Sequence, residues 1–359
     1  MQWVIMNLIK WVEYIKKNFN FPHEGFYEFP YLSNSPQLFV ESTINTPTSR
    51  HVASEQAVYR NNPFTKGVMR YREIEEGFWI TASNIEFKKN ALIKAVYDED
   101  VVSDYYSLTF TVFESKIRLQ NTFADKVPFS SRYWGFKRPG TEVGAYFYKG
   151  SVCEFYIYAF SKEWAEKNLS FKTLPEENQI KKFLNSDSGF ITYHDVVPNA
   201  HELSKEIWRN LEAANKCHFN KIDLKMQTLN LVSSFFKNVF DDKRIDNYVP
   251  LDTPDYKKIA KAERIINDNL ATVFPGIEYV AKEVNMSTTK LKTTFKAVYG
   301  APMLQYFTEK KMYLAMEMIR NSDIQIKNVS TAIGYENSSK FSAIFKKQFG
   351  KLPSEVRMN

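Results

Sequence analysis

Val280-Ala281-Lys282-Glu283-Val284-Asn285-Met286-Ser287 and Val329-Ser330-Thr331-Ala332-Ile333-Gly334-Tyr335-Glu336-Asn337 are two versions of one phrase. The first runs on to Leu291, Phe295-Lys296 and Gly300, the second to Phe341, Phe345-Lys346 and Gly350. The offset between copies is 49 residues before the turn and 50 after it, so the second turn carries one extra residue. A short helix, a tight turn and a basic helix, repeated at this period, predict two tandem helix-turn-helix units.

The surrounding residues supply the boundaries. Helices are expected over Tyr256–Asn269, Ile277–Val284, Thr288–Tyr299, Pro302–Arg320, Val329–Ile333 and Ser338–Phe349. Ser287 and Asn337 are placed to cap the two basic helices. Gly300 and Gly350 stand just past their ends, where a left-handed residue is easiest for glycine. The helix opened by Pro302 should span about 28 Å at ~1.5 Å per residue, against roughly 34 Å for one turn of B-DNA. A rod of that length sets two recognition helices in successive major grooves on one face of a duplex.

Each basic helix separates into two faces. Leu291, Phe295 and Val298 should point inward, with Thr289, Lys292, Thr293 and Lys296 outward. In the second copy Phe341, Phe345 and Phe349 point inward, with Ser338, Ser339, Ser342 and Lys346 outward. Lysine and hydroxyl side chains suit both phosphates and base edges. Because the outer faces differ, the expected DNA site is asymmetric. Charge agrees with this reading. Of 48 Lys+Arg and 41 Asp+Glu, residues 255–359 hold 17 and 10, so the whole net charge of +7 falls there. A surplus confined to one domain points to a polyanionic partner.

Here the chain resembles the DNA-binding domain of the AraC/XylS transcription regulators. The residues that carry the resemblance are Ile333 to Ser342, Phe345-Lys346-Lys347-Gln348-Phe349-Gly350, Pro353-Ser354 and Arg357. It implies a seven-helix domain over 256–359 that binds duplex DNA. By resemblance, base-edge contacts fall on Thr289, Lys292 and Thr293 in the first unit and on Ser338, Ser339, Ser342 and Ala343 in the second. Lys290, Lys296, Lys340, Lys346 and Lys347 of the same two helices complete the expected DNA-contact set. The family often has arginine where this chain has Thr293 and Ala343, neither of which can pair bidentately with guanine. Phosphate contacts and DNA shape then carry more of the binding. The resemblance also implies RNA polymerase as a partner, and an N-terminal domain that senses a small-molecule effector or forms a homodimer, often on a cupin-like barrel.

The N-terminal residues fit such a domain. From about 70 to 164 the chain reads as short strands: Phe78–Ile80, Ala91–Tyr97, Tyr105–Phe113, Lys116–Phe123, Ala145–Tyr148 and Val152–Phe160. Lys149-Gly150-Ser151 is a hairpin-turn candidate and Arg138-Pro139-Gly140-Thr141 another turn. Strands at this spacing predict an antiparallel barrel or sandwich. Over about 175–240 the pattern becomes helical. One helix is expected over Pro198–Leu211, with Leu203, Ile207, Trp208 and Leu211 on its apolar face. A second is expected over Lys221–Phe240, with Ile222, Met226, Leu229, Val232, Phe236 and Val239. The second face is broad enough for packing with some dimer contact. Residues 241–255 read as a linker between a domain at 1–240 and one at 256–359. The aromatics of the strands are either barrel core or the wall of an apolar ligand pocket. The fold class is α+β in two domains.

Several function classes find no support in the sequence. Met1–Asn20 is apolar but broken by Asn7, Lys10 and Glu13, and reads as an amphipathic helix docked on protein, so no membrane partner is expected. Cys153 and Cys217 form no disulfide framework and fit a reducing, cytoplasmic setting. No phosphate loop or nucleophile motif is present. The histidines His23, His51, His194, His201 and His218 form no cluster on a strand, and Asp195 beside His194 is the nearest approach to one. We therefore expect no enzyme, no catalytic or metal residue and no cofactor. The alternatives are a metal-dependent cupin-type enzyme with a basic accessory domain, using His194 or His201, and a ligand-independent DNA-binding regulator.

Overall fold

The computed structural model describes residues 25–117, 127–147, 149–186, 189–213, 220–240, 253–299, 301–321 and 324–357. The expected N-terminal helix, most of the linker, Cys217, Gly300 and the side chains of His194 and Val298 lie outside the described residues. The chain forms two compact units, one of Met1–Phe113 with Arg132–Thr253 and one of Pro254–Asn359 with Glu114–Ser131.

The N-terminal part of the chain contains eleven described strands: β1 Tyr27–Leu32, β2 Ser49–Val52, β3 Ala57–Asn61, β4 Thr65–Glu75, β5 Phe78–Phe87, β6 Ala91–Val96, β7 Tyr105–Ile117, β8 Val127–Lys137, β9 Gly144–Phe147, β10 Val152–Ser161 and β11 Phe190–His194. Its helices are α1 Pro36–Ile44, α2 Lys162–Leu169, α3 Gln179–Asn185, α4 Ala200–Ala213 and α5 Asn220–Phe240. Eight strands pair in the order β11-β8-β7-β10-β5-β4-β3-β2, and β1-β6-β9 make a smaller sheet. The small sheet is mixed, because β1 runs parallel to β6.

Alternation along the strands explains how the large sheet is covered. Phe78, Ile80 and Ala82 of β5, Leu108, Phe110 and Val112 of β7, and Tyr156, Tyr158 and Phe160 of β10 are all even-numbered and share one face. They pack with Leu231, Val232, Phe235 and Phe236 of α5. Trp134 meets Phe235 at 5.0 Å between ring centroids, and Phe136 meets Phe236 edge-on at 5.5 Å. The odd-numbered Phe87 and Cys153 point to the other face, against Phe29, Ala91 and Phe147 of the small sheet. The aromatic surplus is thus largely core.

Five expectations need correction. Strand structure begins at Tyr27 rather than near residue 70, and the supposedly helical stretch contains β11. Tyr105–Phe113 and the start of Lys116–Phe123 are one strand, β7. Lys149-Gly150-Ser151 does not close a hairpin, since β9 and β10 belong to different sheets. Gly150 N–H instead donates to Phe87 O at 2.7 Å, and Phe87 N–H to Ser151 O at 2.9 Å, so the turn pairs with the end of β5. The last correction concerns α5. Ile222 and Met226 are exposed, while Leu224, Thr228, Leu231 and Phe235 are buried. Asn220 Nδ2 donates to Asn210 O at 3.1 Å, and Asn210 Nδ2 to Gln227 Oε1 at 2.8 Å. These bonds turn Asn220 and Gln227 toward α4, and positions 224, 228 and 231 follow them inward.

The second unit has seven described helices: α6 Thr253–Asp268, α7 Ile277–Val284, α8 Thr288–Tyr299, α9 Met303–Asn321, α10 Ile326–Ala332, α11 Ser338–Phe349 and α12 Pro353–Arg357. The central α9 has 19 residues.

Candidate nucleic-acid interface

Both helix-turn-helix units close by the same backbone device. Asn285 and Gly334, each just past the end of the leading helix, adopt left-handed φ of 53° and 76°. Met286 N–H then reaches Ala281 O at 3.0 Å and Asn285 N–H reaches Lys282 O at 3.2 Å. In the second unit Tyr335 N–H reaches Ser330 O at 2.9 Å and Gly334 N–H reaches Thr331 O at 2.9 Å. This pair of bonds is the Schellman arrangement, which satisfies the last carbonyls of a helix and turns the chain sharply. The basic helices start on the expected caps. Ser287 Oγ accepts from Lys290 N at 3.2 Å, and Asn337 Oδ1 accepts from Ser339 N and Lys340 N at 2.8 and 3.1 Å. Ser330, buried in α10, donates its hydroxyl to Tyr335 O at 3.2 Å. The hydroxyl is thereby satisfied inside the turn.

Leu291, Phe295, Phe341 and Phe345 are fully buried, which fixes the rotation of both basic helices. Thr289, Lys290, Lys292, Thr293 and Lys296 of α8 are exposed. On α11 Ser339, Lys340, Ala343, Lys346 and Lys347 are exposed, and Ser338 and Ser342 are half-buried. The structure thus exposes all five of these residues on α8 and, on α11, all but Ser338 and Ser342. Thr293 and Ser342 donate their hydroxyls to the carbonyls four residues back, Thr289 O and Ser338 O, at 3.1 and 2.9 Å. Lys290 differs from the other lysines, because its Nζ lies 2.6 Å from Asp255 Oδ2 in the first turn of α6.

One residue important to this frame had no assigned role. Lys311 of α9 is buried. Its ammonium donates to Thr272 O and lies 4.8 Å from the Phe307 ring and 5.2 Å from that of Tyr335. It therefore ties the central helix to the second turn. Phe307, Lys311 and Ala315 repeat every four residues, so a lysine inside an apolar stripe was the available signal. Burial pushes the Lys311 pKa down to about 8. A lysine depressed on folding binds its proton less tightly in the native state, so it adds stability as pH rises from about 8 toward its unfolded value. Above about pH 10 buried tyrosines such as Tyr335, whose pKa burial raises, act oppositely. In urea unfolding of the full chain, stability should rise between pH 8 and 9.5, and Lys311→Met should flatten part of that rise. An identical pH profile in the variant would refute this role.

The histidine readings resolve differently. His201 is buried, with Nε2 3.3 Å from Glu154 Oε2, which also accepts from Tyr156 OH at 3.0 Å. Asp195 accepts from Trp134 Nε1 at 3.4 Å, and burial raises its pKa. Among the described residues no three His, Cys, Asp or Glu converge as a metal site, and no helix is long and apolar enough to cross a membrane.

Comparison with known proteins places the similarity in the C-terminal residues. Residues 280–359 match the family model described as a helix-turn-helix domain. The chain is 28% identical over 81 residues to the HTH-type transcriptional regulator AlkR of Acinetobacter baylyi, covering 23% of this chain and 26% of AlkR. It is 32% identical over 81 residues to the MmsAB operon regulatory protein of Pseudomonas aeruginosa, covering 23% and 26%. The match thus spans about a quarter of each relative's length. A solved AraC-type regulator from Chromobacterium violaceum aligns with 29% of this chain and 92% of its own, at 21% identity and a TM-score of 0.28. The doubled turn, its caps and the sequence match together make the C-terminal part of this chain a helix-turn-helix domain of the AraC/XylS type.

Proposed function

We propose that the chain is a cytoplasmic, non-enzymatic transcription regulator. Residues 1–240 sense a small molecule or dimerise, 241–255 connect, and 256–359 bind duplex DNA in two successive major grooves. Thr289, Lys290, Lys292, Thr293 and Lys296 contact one groove. Ser338, Ser339, Lys340, Ser342, Ala343, Lys346 and Lys347 contact the next. The observation that carries this reading is the twice-used turn and cap, which aims two lysine-bearing helix flanks outward. Exposed Ile222 and Met226 on α5 support pairing with a second copy, and RNA polymerase is the expected further partner.

Selection of sites from random duplex DNA by the full chain tests the reading. It should return two unlike elements about one turn, roughly 10 base pairs, apart. Lys292→Ala should relax preference in one element by about 1–3 kcal/mol if it reaches a base. Recovery of unenriched sequence would overturn sequence-specific binding. Equal loss on specific and random duplexes would move Lys292 to phosphate contact.

A further inference from the structure

The offset of 50 that aligns Leu291 with Phe341 and Phe295 with Phe345 also aligns Thr293 of α8 with Ala343 of α11. The buried residues fix where those two point. Leu291, Phe295, Phe341 and Phe345 are all fully buried. Thr293 and Ala343 each stand midway between their pair, and two residues are roughly 200° around a helix of 3.6 residues per turn. They therefore lie opposite the middle of the buried face, at the crest of the outer one. Both are exposed.

The two crests offer apolar groups. Thr293 donates its hydroxyl to Thr289 O at 3.1 Å. That bond turns the oxygen back along the helix and leaves the γ-methyl as the outward group. Ala343 has only a methyl. In the major groove the edges of guanine and adenine carry hydrogen-bonding atoms, and thymine alone carries a methyl. A polar base edge pressed against either crest would lose water without gaining a partner, whereas a thymine methyl would bury apolar surface.

We propose that Thr293 and Ala343 each read a thymine by methyl-to-methyl contact, so that the two elements of the DNA site share a thymine at the matching position. This rests on the regulator reading above and adds to it the base that both helices select. The elements stay unlike beside that thymine. Lys292 is exposed and can donate there. Its counterpart Ser342 donates its hydroxyl to Ser338 O at 2.9 Å, so it can only accept.

Deoxyuridine replacement tests the proposal, because uracil differs from thymine only in lacking the methyl. Each thymine of the duplex recovered by selection with the full chain is replaced in turn, and affinity is measured at fixed salt. One replacement in each element should weaken binding about three- to fivefold, the factor for one methyl-sized group. The two should lie about one helical turn apart. Thr293→Ser keeps the hydroxyl and removes the methyl. It should abolish the uracil effect in the first element and leave that in the second. Ala343→Arg should do the reverse and exchange thymine for guanine in the second element, since arginine pairs bidentately with guanine. The uracil scan uses the unaltered chain, so the test stands even if a variant fails to fold. Uracil tolerated at every position overturns the proposal. So does a uracil effect that persists undiminished in a folded Thr293→Ser or Ala343→Arg, since an effect of duplex stiffness does not depend on either side chain. Those results leave the regulator reading intact. Failure of selection to enrich any sequence would overturn that reading, and this proposal with it.

Discussion

Raising monovalent salt from 50 to 200 mM should weaken binding of the full chain to duplex DNA by about 500- to 1,800-fold. The estimate comes from counting charges. Lys292, Lys296, Lys340, Lys346 and Lys347 are exposed on the two outer flanks. Five neutralised phosphates give a log–log slope of about −4.5, and six give about −5.4. Lys290 is the sixth charge, but its ammonium is 2.6 Å from Asp255. If that pair persists on DNA, Lys290→Met should leave the slope near its starting value, whereas Lys346→Ala should reduce it by about one and weaken all sequences alike. Asp255→Asn should release Lys290, steepening the slope by about one and tightening binding several-fold at low salt. Anisotropy titrations over a salt series measure all three. Affinity that is flat with salt would remove the electrostatic basis of the interface, and an unchanged slope in Asp255→Asn would remove Asp255 as its modulator.

The difference between Lys290 and the other lysines shows where a sequence stops being legible. The helix-turn-helix units could be read because their signals are local: a cap two or three residues from the amides it satisfies, a left-handed residue at the helix end, an aromatic every four positions. Thr288–Tyr299 and Ser338–Phe349 begin and end where those signals place them. The Asp255–Lys290 pair joins positions 35 apart, and no local pattern marks it. The first unit failed for the same reason. Gly150 does turn the chain, with φ of 87°, but its partner is Phe87, a choice made by sheet order. The rotation of α5 was set by Asn210, Asn220 and Gln227, polar residues that an apolar periodicity ignores.

Gly334→Asn should destabilise the second helix-turn-helix unit by about 2–4 kcal/mol, although Asn285 occupies the equivalent place in the first unit. Both residues are left-handed, and asparagine tolerates that region better than most residues, at about 1 kcal/mol relative to glycine. Conformation alone therefore predicts a mild change. Space decides otherwise. A Cβ on Gly334 would lie 2.8 Å from Thr272 O and 3.4 Å from Lys311 Nζ. The first is a backbone atom, and moving it disturbs the carbonyl that satisfies the buried Lys311. Overpacking of this kind costs about 1–3 kcal/mol, and weakening the bond to a buried ammonium adds to it. Asn285 is exposed, so Asn285→Gly meets no such barrier and should be neutral or stabilising by up to about 1 kcal/mol. Hydrogen exchange of the Tyr335 and Met286 amides, the two donors that close the turns, reads each unit separately in the full chain. Faster exchange at Tyr335 in Gly334→Asn, with Met286 unchanged, is the expected pattern. Similar small effects in both variants would mean that the Thr272 contact yields easily, and that one turn geometry alone governs both units.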